Sequence, residues 1–320
     1  MNLLKLEPAF KDYLWGGTKL KTEYDKKSDL DKVAESWELS NHRDGSSIVT
    51  NGEYAGKTFI EYLEKEGKKV WGENAQGFVN FPVLIKFIDA KQALSIQVHP
   101  DDEYALRVEK EFGKNEMWYI LECEEGSFLY YGVNCDLTQK EFREKIENNT
   151  ILDVLNKVEV HKGDVFFIEA GTIHAIGAGI MICEIQQNSN STYRVYDFGR
   201  KDANGNEREL HIDKAVDVSK LTPSKQDFGA LSKTDLGNGN NEELLAKCKY
   251  FTTERMDVTS SLTLNADAKS FHSLIILEGE GSVTCKDEKV TFKKGESIFL
   301  PANAGEYTVD ANCSFILTTI

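Results

Sequence analysis

The sequence predicts a mainly β protein with helical insertions, built from two related β-barrel units, and three observations carry that expectation. Short β-rich runs crowd the second half, helix-patterned stretches interrupt the strands of the first half, and one strand–turn–strand pattern occurs twice.

The β-rich runs are Asp164–Ile168, Ile180–Ile185, Tyr193–Phe198, Ser273–Leu277, Ser282–Cys285, Val290–Phe292, Ser297–Leu300 and Ser314–Thr318, bounded by Gly, Asn and Asp. Many short strands separated by turn residues imply a sandwich or barrel, because each run can bury its apolar side chains only against others of its kind. The helical insertions are marked by apolar residues at helical spacing: Phe59, Ile60, Tyr62 and Leu63; then Ala105, Val108 and Phe112; then Phe142, Ile146, Leu152 and Leu155. Asp136 or Thr138 offers an N-cap for the third, Asn149 an interruption, and Asp101 and Asp102 cap the helix expected near Glu103.

The repeat aligns Glu116-Met-Trp-Tyr-Ile-Leu-Glu-Cys-Glu-Glu-Gly126 with His272-Ser-Leu-Ile-Ile-Leu-Glu-Gly-Glu-Gly281, with Ile-Leu-Glu in register. It also aligns Gly163-Asp-Val-Phe-Phe-Ile-Glu-Ala-Gly-Thr-Ile-His174 with Gly295-Glu-Ser-Ile-Phe-Leu-Pro-Ala-Asn-Ala-Gly-Glu306. In the second copy His272 replaces Glu116, Glu306 replaces His174, and nothing like Gln97-Val-His99 precedes them. That copy is expected to be structural, degenerate and metal-free, since two ligands rarely suffice for zinc.

At 320 residues the chain is long enough for two domains. The polar stretch Leu236-Gly-Asn-Gly-Asn-Asn-Glu-Glu243 offers little apolar surface and is the boundary candidate, with the junction between residues 220 and 245; a long surface loop is the other reading. The expected division is a catalytic unit over residues 1–235 and a C-terminal β unit over 236–320.

A formal charge of −15 argues against nucleic acid as a partner, so an anionic substrate must meet a local basic cluster. Lys5, Glu7, Lys11 and Asp12 interrupt the apolar N-terminal residues, which therefore lack the core of a secretory signal, and no run approaches the length of a membrane span. The six scattered cysteines form no C-x-x-C pair, so reduced thiols in a cytoplasmic protein are expected. Oligomeric state is open between a monomer and a weak dimer. No glycine-rich phosphate loop appears, so no nucleotide is required.

Chemistry concentrates in Ala93-Leu-Ser-Ile-Gln-Val-His-Pro-Asp-Asp102. Strand alternation places Leu94, Ile96 and Val98 on one face and Ser95, Gln97 and His99 on the other. Glu116 opens an apolar strand and His174 closes a turn–strand–turn unit, so these four side chains offer two oxygens and two nitrogens. Zinc accepts that donor set and leaves room for water or substrate; manganese and iron(II) accept it too. His42, His161 and His211 stand in polar loop contexts and are expected to be solvated.

Gly163-x5-Glu-x-Gly171-x2-His174 resembles the second motif of the cupin superfamily, with Glu169 where proline is usual. Trp15-Gly-Gly17, Glu35-Ser-Trp-Glu-Leu-Ser40, Leu84-Ile-Lys-Phe-Ile-Asp-Ala90, Leu94-Ser-Ile-Gln-Val-His-Pro-Asp101, Gly113-Lys-Asn-Glu-Met-Trp118, Gly171-Thr-Ile-His174 and Tyr193-Arg-Val-Tyr-Asp-Phe-Gly-Arg200 resemble type I mannose-6-phosphate isomerases of the short bacterial form. The resemblance implies two cupin (jelly-roll) units and interconversion of mannose 6-phosphate and fructose 6-phosphate. It also implies one Zn2+ per chain on Gln97, His99, Glu116 and His174, with Arg194 in the active site. Lys114 falls at a Lys-x-Glu position linked to substrate binding or proton transfer, and Ser95 and Lys86 at positions like the phosphate and sugar pocket. Where relatives carry an Asp-Asn run before the arginine, this chain has Asn190-Ser-Thr.

Aldose–ketose isomerisation must open the sugar ring, remove the C2 proton, stabilise an enediolate and return a proton to C1. A Lewis acid and a nearby cation answer the charge requirement, which suits zinc and Arg194. The base is Lys114, Glu184 or metal-bound hydroxide; Glu184 is otherwise grouped with Ser95 and Lys86 as substrate-binding. The competing readings are another metal-dependent cupin enzyme, such as an oxygenase, and a non-catalytic sugar-binding cupin.

Overall fold

A computed structural model describes residues 3–201, 204–223 and 228–320. It is mainly β, with short helices between strands. The chain divides into two compact units: Met1–Asp12, Thr18–Phe87 and Gly229–Ile320 form one, and Tyr13–Gly17 with Ile88–Phe228 the other. The units thus do not follow the expected division at residue 235, because Leu4–Glu7 pairs with Ser297–Leu300 and draws the N-terminal segment to the C-terminal strands. Residues 224–227, within the expected junction, lie outside the described residues.

In the first unit one sheet runs in the order Ser232–Gly237, Asn240–Lys247, Thr252–Val258, Gly305–Thr319, His272–Cys285, Ser297–Leu300, Leu4–Glu7 and Ile48–Val49. Ser261–Ala266 also pairs with Gly305–Thr319, and Glu288–Lys293 with His272–Cys285. Leu274, Ile276, Ile298, Leu300, Val309 and Phe315 belong to one buried apolar cluster. Phe59, Phe81, Phe271 and Phe299 form a second core with ring centroids 4.8 to 6.1 Å apart. The helix supplying Phe59 starts at Thr58, whose hydroxyl and Glu61 close a capping box. The Gly- and Asn-rich stretch is neither linker nor long loop but the turn of a hairpin. Asn238 and Gly239 both take positive φ, the geometry a tight two-residue turn requires, and Asn240 is buried with its amide bonded to Ser261 and Thr259.

The repeat is visible as register. Tyr119, Trp118, Met117 and Glu116 pair with Val165, Phe166, Phe167 and Ile168; in the second copy Ile275, Leu274, Ser273 and His272 pair with Ser297, Ile298, Phe299 and Leu300. Each pair in the first copy has its counterpart in the second at the positions the sequence alignment equates. His272 Nδ1 lies 2.8 Å from the Tyr307 hydroxyl, and Glu306 is exposed.

The second unit is built of two β-layers. One is ordered Leu155–Glu159, Phe128–Val133, His174–Ile176, Ile96–Val98, Tyr193–Tyr196; the other contains Val165–Ile168, Glu116–Cys123 and Ile180–Gln187 in that order. The helices Gln139–Glu147 and Ile212–Val218 cover the first layer, where Ile96, Val98, Ala175 and Val195 pack with Phe142, Ile146, Ala215 and Val216. Thr138 is the N-cap of the first of these, closing a capping box with Glu141, and Asn149 takes φ 56° just beyond its end. Two expected elements are shorter than the sequence suggests. The strand expected from Ala93 reduces to Ile96–Val98, and Pro100, which has no N–H, lies just past its C-terminal end. The helix begun by Asp101 ends at Val108, before Phe112, as Lys110 turns left-handed. All six cysteines are free thiols, and no helix among the described residues is long and apolar enough to cross a membrane.

Candidate metal centre

Because helices cover the Ile96 and Val98 face, the polar face of the same strand turns into the space between the two layers. His99 and His174 from one layer meet Glu116 from the other, with ligand atoms all within 4.8 Å, and all three side chains are at most 1% exposed. His99 Nε2 is 3.5 Å from Glu116 Oε1, and His174 Nε2 is 3.7 Å from Glu116 Oε2.

Backbone carbonyls set the imidazoles. His99 Nδ1 lies 2.8 Å from the Ser191 carbonyl and His174 Nδ1 2.8 Å from the Thr172 carbonyl. A carbonyl can only accept, so each Nδ1 carries the proton and each Nε2 presents its lone pair inward, the arrangement typical of metal-binding histidines. Burial holds the His174 imidazole down to about 4, which keeps that lone pair available. His174 Nε2 and Glu116 Oε2 have no hydrogen-bond partner although both are buried. A buried acceptor pair without donors is costly, and a cation between them would satisfy both. The donor set fits a divalent metal.

Lys114 is buried rather than on the surface. Its ammonium contacts Glu116 Oε1, lies 3.3 Å from His99 Nε2 and 3.9 Å from Glu184 Oε1, so positive charge already sits on the ligand atoms. Glu184, also buried, accepts a 2.9 Å hydrogen bond from the Trp118 indole, and Trp118 stands edge-on to His174.

Gln97 is the cross-strand partner of His174 on one side and of Arg194 on the other, which puts these three residues in a row on one sheet face. Arg194 is half-buried; one guanidinium nitrogen donates to the Glu209 carbonyl at 2.8 Å, and Nε is buried with no partner. Burial, then the neighbouring Arg208, pull its pKa below the usual arginine value, and the group remains a cation. Ser95 is buried two positions before Gln97, beyond the end of the strand. Lys86 is buried in the other compact unit, 3.6 Å from Glu35 and over the Trp37 ring.

His99, Glu116, His174, Lys114 and Glu184 are therefore brought together directly, and Gln97 and Arg194 by register. Two of the three histidines expected to be solvated are not. His42 is buried edge-on against Trp37, and His211 accepts the Arg194 backbone N–H at 2.9 Å through Nδ1; only His161 is exposed. The Ser191 and Thr172 carbonyls carried no signal in the sequence, because every residue has one.

Comparison with known proteins agrees with this geometry. The family model "Phosphomannose isomerase type I, catalytic domain" matches residues 3–128, and "Mannose-6-phosphate isomerase, cupin domain" matches residues 240–320. The chain is 36% identical to mannose-6-phosphate isomerase ManA of Bacillus subtilis, over 98% of both chains. It is also 36% identical to the mannose-6-phosphate isomerase of Streptococcus mutans, over 98% of this chain and 96% of that one. The crystal structure of the mannose 6-phosphate isomerase from Bacillus subtilis superposes with a TM-score of 0.90 at 34% identity, covering 100% of each chain.

Proposed function

From the premise that this chain belongs to the type I mannose-6-phosphate isomerase family and is an isomerase, we propose that it interconverts mannose 6-phosphate and fructose 6-phosphate at the His99–Glu116–His174 centre. The observation that carries this reading is the pair of buried, partnerless acceptors, His174 Nε2 and Glu116 Oε2, converging with His99 between the two β-layers. His99, Glu116 and His174, with Gln97 from the same face, would hold one Zn2+ per chain. When bound, the ion would act as a Lewis acid toward the sugar oxygens at C1 and C2.

The chain's own residues then divide the work. Lys114 is the group assigned to carry the proton between C2 and C1. Its contacts with Glu116 and Glu184 keep the nitrogen at the centre rather than in solvent. Arg194 supplies a fixed positive charge for the enediolate, and its buried, unpartnered Nε is a donor available to the substrate. Enclosure between two sheet layers excludes water and strengthens both interactions. Ser95 and Glu184, both buried in the unit that holds the centre, are offered to the sugar or its phosphate. The second cupin unit is structural and carries no metal, and the free thiols suit a cytoplasmic setting.

The test is to incubate purified protein with mannose 6-phosphate, follow fructose 6-phosphate, and measure bound metal before and after chelation. Turnover that falls with metal removal and returns with Zn2+ is expected. A zinc-loaded protein that makes no fructose 6-phosphate overturns the reaction, and turnover untouched by complete metal removal overturns the role of the centre.

A further inference from the structure

We infer that Asn115 and Gln187 form a hydrogen-bonded clasp that positions Lys114 and Glu116 for metal and substrate, an inference that rests on the reading of the metal centre above. In the segment Gly113–Glu116, Lys114 and Glu116 meet at the centre, whereas Asn115 between them is bonded away from it, to Gln187 and Ala170. All of its polar groups are engaged there. Its backbone N–H and its Nδ2 donate to Gln187 Oε1 at 2.9 and 2.6 Å, its Oδ1 accepts the Ala170 N–H at 2.9 Å, and its carbonyl accepts the Gln187 N–H at 3.0 Å.

Gln187 is 2% exposed and completes the connection. Its Nε2 donates to Asp102 Oδ1 at 2.9 Å, and the same oxygen accepts the Gly113 N–H at 3.0 Å. The clasp therefore joins three segments, each carrying one ligand: Asp102 just past His99, Asn115 next to Glu116, and Ala170 just before His174. Two backbone bonds run alongside, Lys114 N–H to the Pro100 carbonyl at 3.0 Å and Gly171 N–H to the His99 carbonyl at 2.8 Å. Gly113 is obligatory at the crossing, since a Cβ there would meet the Asp101 carbonyl carbon at 2.4 Å.

Around the buried Gln187 the partly buried network is rigid, and one missing member leaves several donors and acceptors without their protein partners. Fixing the three ligand segments before any metal arrives lowers the ordering cost of binding and holds Lys114 in one place at the centre. Asn115 and Gln187 are positioning residues in this account; neither is assigned a contact with substrate or metal.

The experiment compares wild type, Gln187→Met, and Gln187→Glu, which keeps an acceptor for both Asn115 donors and gives up only the donor to Asp102. Zn2+ and Mn2+ affinity is measured by competition with a chelator, kcat and KM for mannose 6-phosphate on metal-saturated protein, and Tm on chelator-treated protein. Gln187→Met is expected to weaken metal binding about 10–100-fold and to lower saturated kcat roughly tenfold with KM within about twofold, and Gln187→Glu to fall between Gln187→Met and wild type in both. Should Gln187→Met fail to fold, Asn115→Ser, which keeps the backbone bonds, is expected to move the same quantities in the same direction. A drop in Tm alone, with metal affinity and saturated kcat unchanged, reduces the clasp to a structural role and overturns the inference. If the wild type turns over substrate but binds neither metal, the reading of the centre fails, and the clasp is then judged by kcat in Gln187→Met against Gln187→Glu.

Discussion

At the His99 imidazole three constraints meet: a carbonyl behind it fixes the proton, a carboxylate in front draws a cation, and 1% exposure removes the alternative of water. Truncation to His99→Ala removes a ligand and leaves Glu116 with one fewer partner, so bound metal and turnover are expected to fall together, by roughly 10²-fold or more, in parallel metal analysis and kinetic assays. In the proposed reaction Arg194→Ala would remove charge stabilisation without touching His99, Glu116 or His174. Metal content at the wild-type level with kcat lower by about 10²–10³-fold is expected, and a wild-type rate would show that Arg194 has no part in the reaction. His174 adds a pH dependence to the metal-free protein. The unfolded chain takes up a proton as pH falls below 6.5, whereas the buried imidazole resists until about 4. The stability it contributes is present above 6.5 and is lost as pH falls toward 4, an effect on the order of 3 kcal/mol. Urea titrations of chelator-treated protein between pH 7 and 4 would show it, and a stability that stays flat over that range would remove His174 as its source.

At the scale of elements, local signals were reliable where the physics is local. Thr138 and Glu141 close their capping box as the sequence allowed, and Thr138→Ala is expected to cost about 1 kcal/mol in denaturant titration while leaving saturated kcat unchanged. The strand through Gln97 shows where local signals stop. Alternation put Gln97 and His99 on one face, yet which face met solvent depended on helices forty and more residues away in sequence, Gln139–Glu147 and Ile212–Val218. Polarity usually marks the solvent side of a strand, and here it marks the inside. The same limitation explains His211, read as a loop residue and found bonded to Arg194. It also explains the Gly- and Asn-rich stretch, whose turn chemistry was legible but whose pairing with Thr252–Val258 was not.

For the whole molecule, the two copies of the repeat share strand register but not interior chemistry. In the first, His174, Glu116 and His99 converge; in the second, Leu274, Ile276, Leu300 and Phe315 belong to the apolar core. His272, at the place of Glu116, is engaged with Tyr307, and Glu306, at the place of His174, is exposed. One metal per chain is therefore expected from elemental analysis, unchanged in His272→Asn, and two per chain would show that the second copy kept a site.

By itself the sequence determined the residue types of the centre, the common face of Gln97 and His99, the helix caps and the register of the repeat, since all of these follow from short-range periodicity and side-chain chemistry. Only the tertiary structure decided that the polar face is the buried one, that Lys114 lies on the ligand atoms, that the Ser191 and Thr172 carbonyls fix the imidazoles, and that the N-terminal segment joins the C-terminal strands. Those depend on which segments pair across long stretches of chain, and the free energy of such pairing comes from burial shared among many residues, which no short window of sequence contains.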